Sequence, residues 1–98
     1  MITVKKKDNV ITISGHAGYE KKGEDIVCAS VSSIMYTTLN AILRFSNDAI
    51  SYEDDKKKVT IVNKKGDNIT NTLLSNMMSL FLELAMQYPK NIKIESEE

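Results

Sequence analysis

The spacing of apolar residues changes along this chain, and that change most constrains its fold. Two segments, residues 26–45 and 69–88, repeat apolar residues every three to four positions, which is the period of an amphipathic α-helix. Five shorter segments alternate apolar and polar residues, the period of a half-buried β-strand; they are residues 2–5, 11–14, 50–53, 59–62 and 92–95. The predicted order is therefore β-β-α-β-β-α-β.

Alternating strands bury one face only, so we expect a mostly antiparallel sheet with two helices packed on it, the α+β class. Asp8 and Asn9 are predicted to form a tight turn between the first two strands. Pro89 is predicted to end the second helix, because proline lacks the amide hydrogen that a helix needs. A chain of 98 residues, 42% of them apolar, can build one core, so we expect a single domain covering residues 1–98.

Charge and composition disfavour several classes of function. Thirteen Lys and Arg residues balance 13 Asp and Glu residues, which gives no long-range attraction to nucleic acid or to an anionic membrane. Three lysine clusters, at residues 5–7, 56–58 and 64–65, are more typical of a solvated sheet edge than of an RNA-binding patch. One cysteine and one histidine fall short of the usual four zinc ligands, so we expect no metal and no cofactor. Without a signal-peptide pattern or about 18 consecutive apolar residues, we expect a cytoplasmic protein with no membrane partner and no direct nucleic-acid binding.

The single histidine and the single cysteine, His16 and Cys28, are twelve residues apart. A cysteine at a helix start lies near free amides and the positive end of the helix dipole, and both stabilise a thiolate. A loop of about ten residues can return a strand end to a helix start at small entropic cost. The spacing therefore permits His16 to reach Cys28 and to form the Cys–His pair that acyl transfer needs. The alternative is a structural cysteine in the core and an unrelated histidine.

Three residues near Cys28 are candidates for supporting roles. Asp25 is predicted to be the N-cap of the first helix, although its carboxylate could instead orient His16. The amides of Cys28 and Ala29, expected to be free at the helix start, could hold the oxyanion of a tetrahedral intermediate. Ser32, one turn after Cys28, could hydrogen-bond at the site or bond back to its own helix.

The segment from Gly15 to Ser32 resembles the signature of the ribosomal-processing cysteine protease family of bacteria. It joins a Gly-His-Ala-Gly-Tyr block, residues 15–19, to an Asp-Ile-Val-Cys-Ala block, residues 25–29. Ser30 stands where many members are expected to carry alanine. The resemblance implies a homodimeric cytosolic endopeptidase that removes the N-terminal extension of a large-subunit ribosomal protein, with His16 and Cys28 as its catalytic pair.

Combined with that resemblance, the residues predict a mechanism. Cys28 attacks the scissile carbonyl, and His16 protonates the leaving amine and then activates water. Two other functions stay open at this point: a non-catalytic ribosome-associated binding module with a structural cysteine, and a thiol-redox sensor that forms a disulfide between two chains.

The segment between the two blocks is predicted to be a substrate-binding loop over residues 15–24. Gly15, Gly18 and Gly23 are expected to let this loop open to admit a peptide and close over it. Tyr19, Lys21 and Lys22 are the candidates for direct contact with the substrate.

Overall fold

The elements follow one another in the predicted order. The structure, a computed structural model, describes residues 1–15 and 22–97, with the backbone alone for residues 22–25 and 97. Within these ranges the strands are β1 (Ile2–Lys7), β2 (Val10–Ser14), β3 (Ile50–Asp54), β4 (Lys58–Asn63) and β5 (Ile92–Glu97), and the helices are α1 (Lys22–Phe45) and α2 (Asn68–Gln87). The predicted α+β class is confirmed.

The five strands form one sheet in the order β3-β4-β2-β1-β5. Three of the four neighbouring pairs are antiparallel, and β1 and β5 are parallel, so the sheet is mostly antiparallel, as predicted. Asp8, with φ +53°, forms the tight turn between β1 and β2. The register pairs Val4 with Ile13 and Ile13 with Val59, so the apolar residues of neighbouring strands lie on the same face.

Both helices cover this apolar face. α1 contributes one buried residue per turn, namely Val27, Val31, Met35, Leu39 and Ile42. α2 contributes Thr70, Leu74, Met77 and Phe81. Because these stripes pack on the sheet, the rotation of each helix about its own axis is fixed.

The stretch Ile26–Phe45 of α1 is by length and composition apolar enough to cross a membrane. The core helix of a soluble protein passes the same test. The sequence did not predict such a stretch, because serine, threonine and asparagine residues interrupt the apolar run.

α1 begins at Lys22, four residues before the predicted start. Asp25 therefore lies inside the helix, and its prediction as the N-cap is wrong. Gly23 also belongs to the helix, so the predicted loop ends earlier than expected. The difference arises because apolar periodicity marks the start of a helix at its first apolar residue, here Ile26, whereas the first turn of α1 is polar and acidic residues are favourable there. Glycine, a poor helix former, obscured this turn further.

Candidate active site

Cys28 is the seventh residue of α1 and a half-buried free thiol. Its neighbours Val27 and Val31 are 0% and 4% exposed, so they anchor this part of the helix in the core. Cys28 lies beside that stripe and packs against the core with one side. It also lines a cavity of about 130 Å³, which brings a nucleophilic side chain to a recess at the surface.

The cavity lies where α1 crosses the end of the sheet formed by the start of β1, the end of β2 and the start of β4. Its floor is made of buried apolar residues: Ile2, Ile13, Val31, Met35 and Val59. Its rim is polar and consists of Ser32, Tyr36, Asp54 and the lysines 56–58. A recess of this kind can hold an apolar side chain while the polar backbone of a ligand stays at the rim.

Gly15 follows β2 and lines the same cavity. Its φ of +85° is a conformation that residues with a side chain rarely adopt. A Cβ at this position would also collide with the carbonyl oxygen of Met1. Glycine is therefore required here, and the chain leaves β2 along a path that only glycine permits.

Tyr36 ties α1 to the edge strand β3 at the cavity rim. Its hydroxyl donates a hydrogen bond to Oδ2 of Asp54 at 2.9 Å, and this bond to a carboxylate raises the pKa of Tyr36 above its ordinary value. The other oxygen, Oδ1 of Asp54, accepts from the amide of Lys56 at 2.9 Å. The aromatic ring of Tyr36 lies edge-on to Tyr52, with 6.4 Å between ring centroids.

The turn between β3 and β4 carries the lysine cluster of residues 56–58. Oδ1 of Asp55 accepts from the amides of Lys57 and Lys58 at 3.0 and 2.8 Å, and these bonds lower the pKa of Asp55. The three lysines are exposed, in agreement with the predicted solvated edge. The sequence did not indicate that this edge borders the cavity of Cys28.

The structure brings together three of the predicted site residues, Gly15, Cys28 and Ser32, at one cavity. Ser32 and Cys28 are four residues apart on α1 and line the same cavity. Ala29 lines a different cavity, of about 520 Å³, between α1 and α2. His16, Gly18, Tyr19 and Lys21 lie outside the described residues, so the contact between His16 and Cys28 stays a prediction.

The backbone of α1 corrects one expectation about the oxyanion. Only the first four amides of a helix lack a partner within it, and α1 begins at Lys22. The amides of Cys28 and Ala29 therefore donate to carbonyl groups four residues earlier. The prediction that these amides are free at a helix start is wrong.

Tyr36 and Asp54 were not among the predicted site residues. A signal for Tyr36 existed, because Cys28, Ser32 and Tyr36 recur every four residues and so share a helix face. Asp54 gave no such signal, since the pairing of β3 with β4 brings it to the cavity. Within residues 1–15 and 22–97, no group of three or more His, Cys, Asp or Glu side chains could hold a metal ion.

Comparison with known proteins supplies the family. The family model described as Cysteine protease Prp matches residues 1–93. A relative from Mycoplasma pneumoniae named Ribosomal processing cysteine protease Prp is 33% identical, over 99% of this chain and 96% of the relative. The protein of the same name from Mycoplasma genitalium is 30% identical, over 99% of this chain and 97% of the relative.

A solved structure shares the fold. It is that of the essential ribosomal processing protease Prp from S. aureus in complex with a covalently linked product peptide. The two chains superpose with a TM-score of 0.82 and 25% identity, covering 99% of this chain and 100% of the other. This chain belongs to the Prp family of cysteine proteases.

Proposed function

We propose that this protein is a cysteine endopeptidase that removes the N-terminal extension of a large-subunit ribosomal protein, with Cys28 as nucleophile and His16 as general base and acid. The observation that carries the proposal is the half-buried thiol of Cys28 on the wall of a cavity with an apolar floor, in a member of a cysteine protease family. The covalently linked product peptide of the S. aureus relative supports a mechanism through a covalent intermediate.

The position of Gly15 supports the pairing of His16 with Cys28. Gly15 and Cys28 line the same cavity, and His16 is the next residue along the chain. Consecutive Cα atoms are about 3.8 Å apart, and this closeness along the chain to a residue of the cavity supports the proposed pair. Since a Cβ at position 15 would collide with the carbonyl oxygen of Met1, only glycine fits at the residue that precedes His16 in the sequence.

The proposed reaction proceeds in two halves. His16 takes the thiol proton, and the thiolate of Cys28 attacks the scissile carbonyl carbon; the tetrahedral intermediate collapses to a thioester as His16 protonates the leaving amine. A water molecule, deprotonated by His16, then hydrolyses the thioester, which releases the carboxylic acid and returns the proton to the thiol. The apolar floor of the cavity holds a substrate side chain beside the scissile bond during both steps.

Ser32 and Asp25 are the supporting residues in this proposal. Since the amides of Cys28 and Ala29 are bonded within α1, a donor from elsewhere has to stabilise the oxyanion. The hydroxyl of Ser32 lies one turn after Cys28 and lines the same cavity, so we assign it a hydrogen bond to the substrate. Asp25 lies inside α1 and not at its N-cap, and we assign to its carboxylate the role of orienting His16.

Incubation with the precursor tests the cleavage directly. The purified protein should convert the extended ribosomal protein to a shorter form with a single new N-terminus, read by mass spectrometry. If the protein were a non-catalytic binding module with a structural cysteine, the precursor would stay intact and Cys28 would react slowly with iodoacetamide. An intact precursor after prolonged incubation with active, reduced protein contradicts the proposal.

We also propose that the protein is a cytoplasmic homodimer. Support comes from exposed apolar side chains on the helices: Ile26 is 54% exposed, Leu82 53% and Met86 75%. Apolar residues grouped on one helical layer favour coverage by a second copy. Sedimentation equilibrium at micromolar concentration should give twice the mass of 11.0 kDa, and a mass equal to one chain would contradict the dimer.

A further inference from the structure

Two cavities follow one another along the same side of α1. The first is the 130 Å³ cavity of Cys28. The second is larger, about 660 Å³, and is lined by the second half of α1 and by one residue of β3; Tyr36, Asn40, Leu43, Arg44 and Tyr52 are among its residues. Tyr36 lines both cavities. The second cavity therefore continues the first, and the side chain of Tyr36 forms the border between them.

The border has a fixed position. The hydrogen bond from the Tyr36 hydroxyl to Asp54 spans 2.9 Å, and its ring contacts that of Tyr52 at an interplanar angle of 69°. Tyr36 and Tyr52 nevertheless remain 40% and 41% exposed. Two half-exposed aromatic rings that these contacts hold in place offer a rigid apolar surface to a ligand, and they lose little side-chain entropy when the ligand binds.

Helix geometry sets the distance between Cys28 and the second cavity. With a rise of about 1.5 Å per residue, Tyr36 lies about 12 Å along α1 from Cys28, and Arg44 about 24 Å. An extended peptide advances about 3.3 Å per residue. A peptide whose scissile bond lies at Cys28 and which runs along α1 would therefore pass Tyr36 with about its fourth residue and would fill the second cavity with about its fifth to seventh.

We propose that the second cavity binds the substrate at a distance from the scissile bond, with the Tyr36–Tyr52 pair as the contact surface for an apolar side chain about four residues away. This inference rests on the proposed function, because it takes the scissile bond to lie at Cys28. The occupant is an extended segment of the substrate polypeptide, since the cavity adjoins that of the nucleophile. Arg44 and Asn40 then lie where they can hydrogen-bond the carbonyl groups of that segment.

Peptides of different length test the proposal. One peptide carries three residues on each side of the cleavage site of the ribosomal precursor; two others extend it to ten residues on the upstream or on the downstream side. For the wild-type protein, one extension should raise kcat/KM about tenfold, mainly through a lower KM, and so reveal the direction in which the peptide runs. Tyr52→Ala should abolish this advantage of the longer peptide, and Tyr52→Phe should keep it because the ring remains.

The ratio of kcat/KM for long and short peptides is measured on one enzyme sample, so a loss of folded protein cancels from it. Phe45→Ala is the matched control, since Phe45 is 69% exposed, lies next to Arg44 and does not line the cavity; it should leave the ratio unchanged. If the ratio of kcat/KM for the long and the short peptide is the same in Tyr52→Ala as in the wild type, the proposal is overturned. So does a wild-type protein that gains nothing from either extension.

A binding measurement separates this proposal from the proposed function. Fluorescence anisotropy of the favoured long peptide on Cys28→Ala requires no cleavage, and adding Tyr52→Ala should weaken the Kd about tenfold. If the wild-type protein cleaves none of the peptides, the proposed function is contradicted, and the binding result alone decides on the second cavity. Equal Kd values for the two variants overturn the cavity proposal whatever the cleavage result.

Discussion

Single residues determine the positions of Cys28 and Gly15 at the cavity that both line. Val27 and Val31 are buried in the core, and the residue between them in the helix, Cys28, is thereby held at the cavity wall. Gly15 lines the same cavity with a positive φ, at a place where an added Cβ would collide with the Met1 carbonyl. Both positions follow from packing, so the geometry on each side of the cavity is fixed without a substrate.

Gly15→Ala should destabilise the protein and reduce cleavage. The new Cβ meets a backbone atom, and a residue with a side chain at φ +85° costs about 1–3 kcal/mol of stability. In the proposed mechanism His16 has to reach Cys28, so a displaced chain at position 15 should also lower kcat/KM by at least about tenfold. Urea unfolding and peptide cleavage measure the two effects.

Gly66→Ala is the control for backbone strain alone. Gly66 also has a positive φ, of +61°, but an added Cβ there meets no atom within 4 Å. This variant should lose about 1 kcal/mol and keep full activity. Equal stability and equal activity of the two glycine variants would show that the collision of an added Cβ with the Met1 carbonyl does not matter.

At the level of elements, the periodicity of apolar residues predicts which strands and helices form. It does not predict at which residue each element begins and ends. All five strands and both helices lie where alternation and helical spacing place them, because burial on one face requires those periods. The start of α1 was missed because its first turn is polar. The link between Tyr36 and Asp54 was missed because the two residues are 18 apart and meet through the tertiary packing of α1 beside β3, which no local pattern encodes.

The N-cap of α2 predicts a pH dependence of stability. The carboxylate of Asp67 accepts from the hydroxyl of Thr70 at 2.6 Å and from its amide at 3.4 Å, and the hydroxyl bond in particular lowers the pKa of Asp67. A lowered folded-state pKa means that this contribution is present above about pH 4 and is lost as the pH falls through the folded value. Asp67→Ala should therefore lower the Tm at pH 7. On acidification, the Tm of this variant should fall less than that of the wild type.

Asp67→Asn is the matched variant, because asparagine is also a good N-cap but carries no titrating carboxyl group. It should retain most of the stability at pH 7, and its Tm should fall less than that of the wild type between pH 5 and pH 2. Thermal unfolding at a series of pH values measures this difference. Identical pH profiles for the wild type and Asp67→Asn would mean that Asp67 does not contribute to the acid sensitivity.

At the level of the whole molecule, the helices cover one face of the sheet and the other face is polar. On that open face Oε2 of Glu95 lies 3.6 Å from Nζ of Lys5, and Oε1 lies 3.1 Å from Nζ of Lys93. The cavity of Cys28 lies where α1 crosses the end of the sheet, and the adjoining larger cavity lies between α1 and the edge strand β3. A substrate that follows α1 could therefore reach the nucleophile without displacing any element of the core.

The cleavage rate of Cys28 and His16 variants tests the central claim most directly. With a peptide spanning the cleavage site, Cys28→Ala should lower kcat by at least about 10⁴-fold while the peptide still binds, and Cys28→Ser should be nearly as inactive. His16→Ala should lose at least about 10³-fold, and the double variant should be little worse than Cys28→Ala, because residues that act as one catalytic unit are not additive. Wild-type turnover by Cys28→Ala would contradict the account of this protein as a cysteine protease that acts through Cys28.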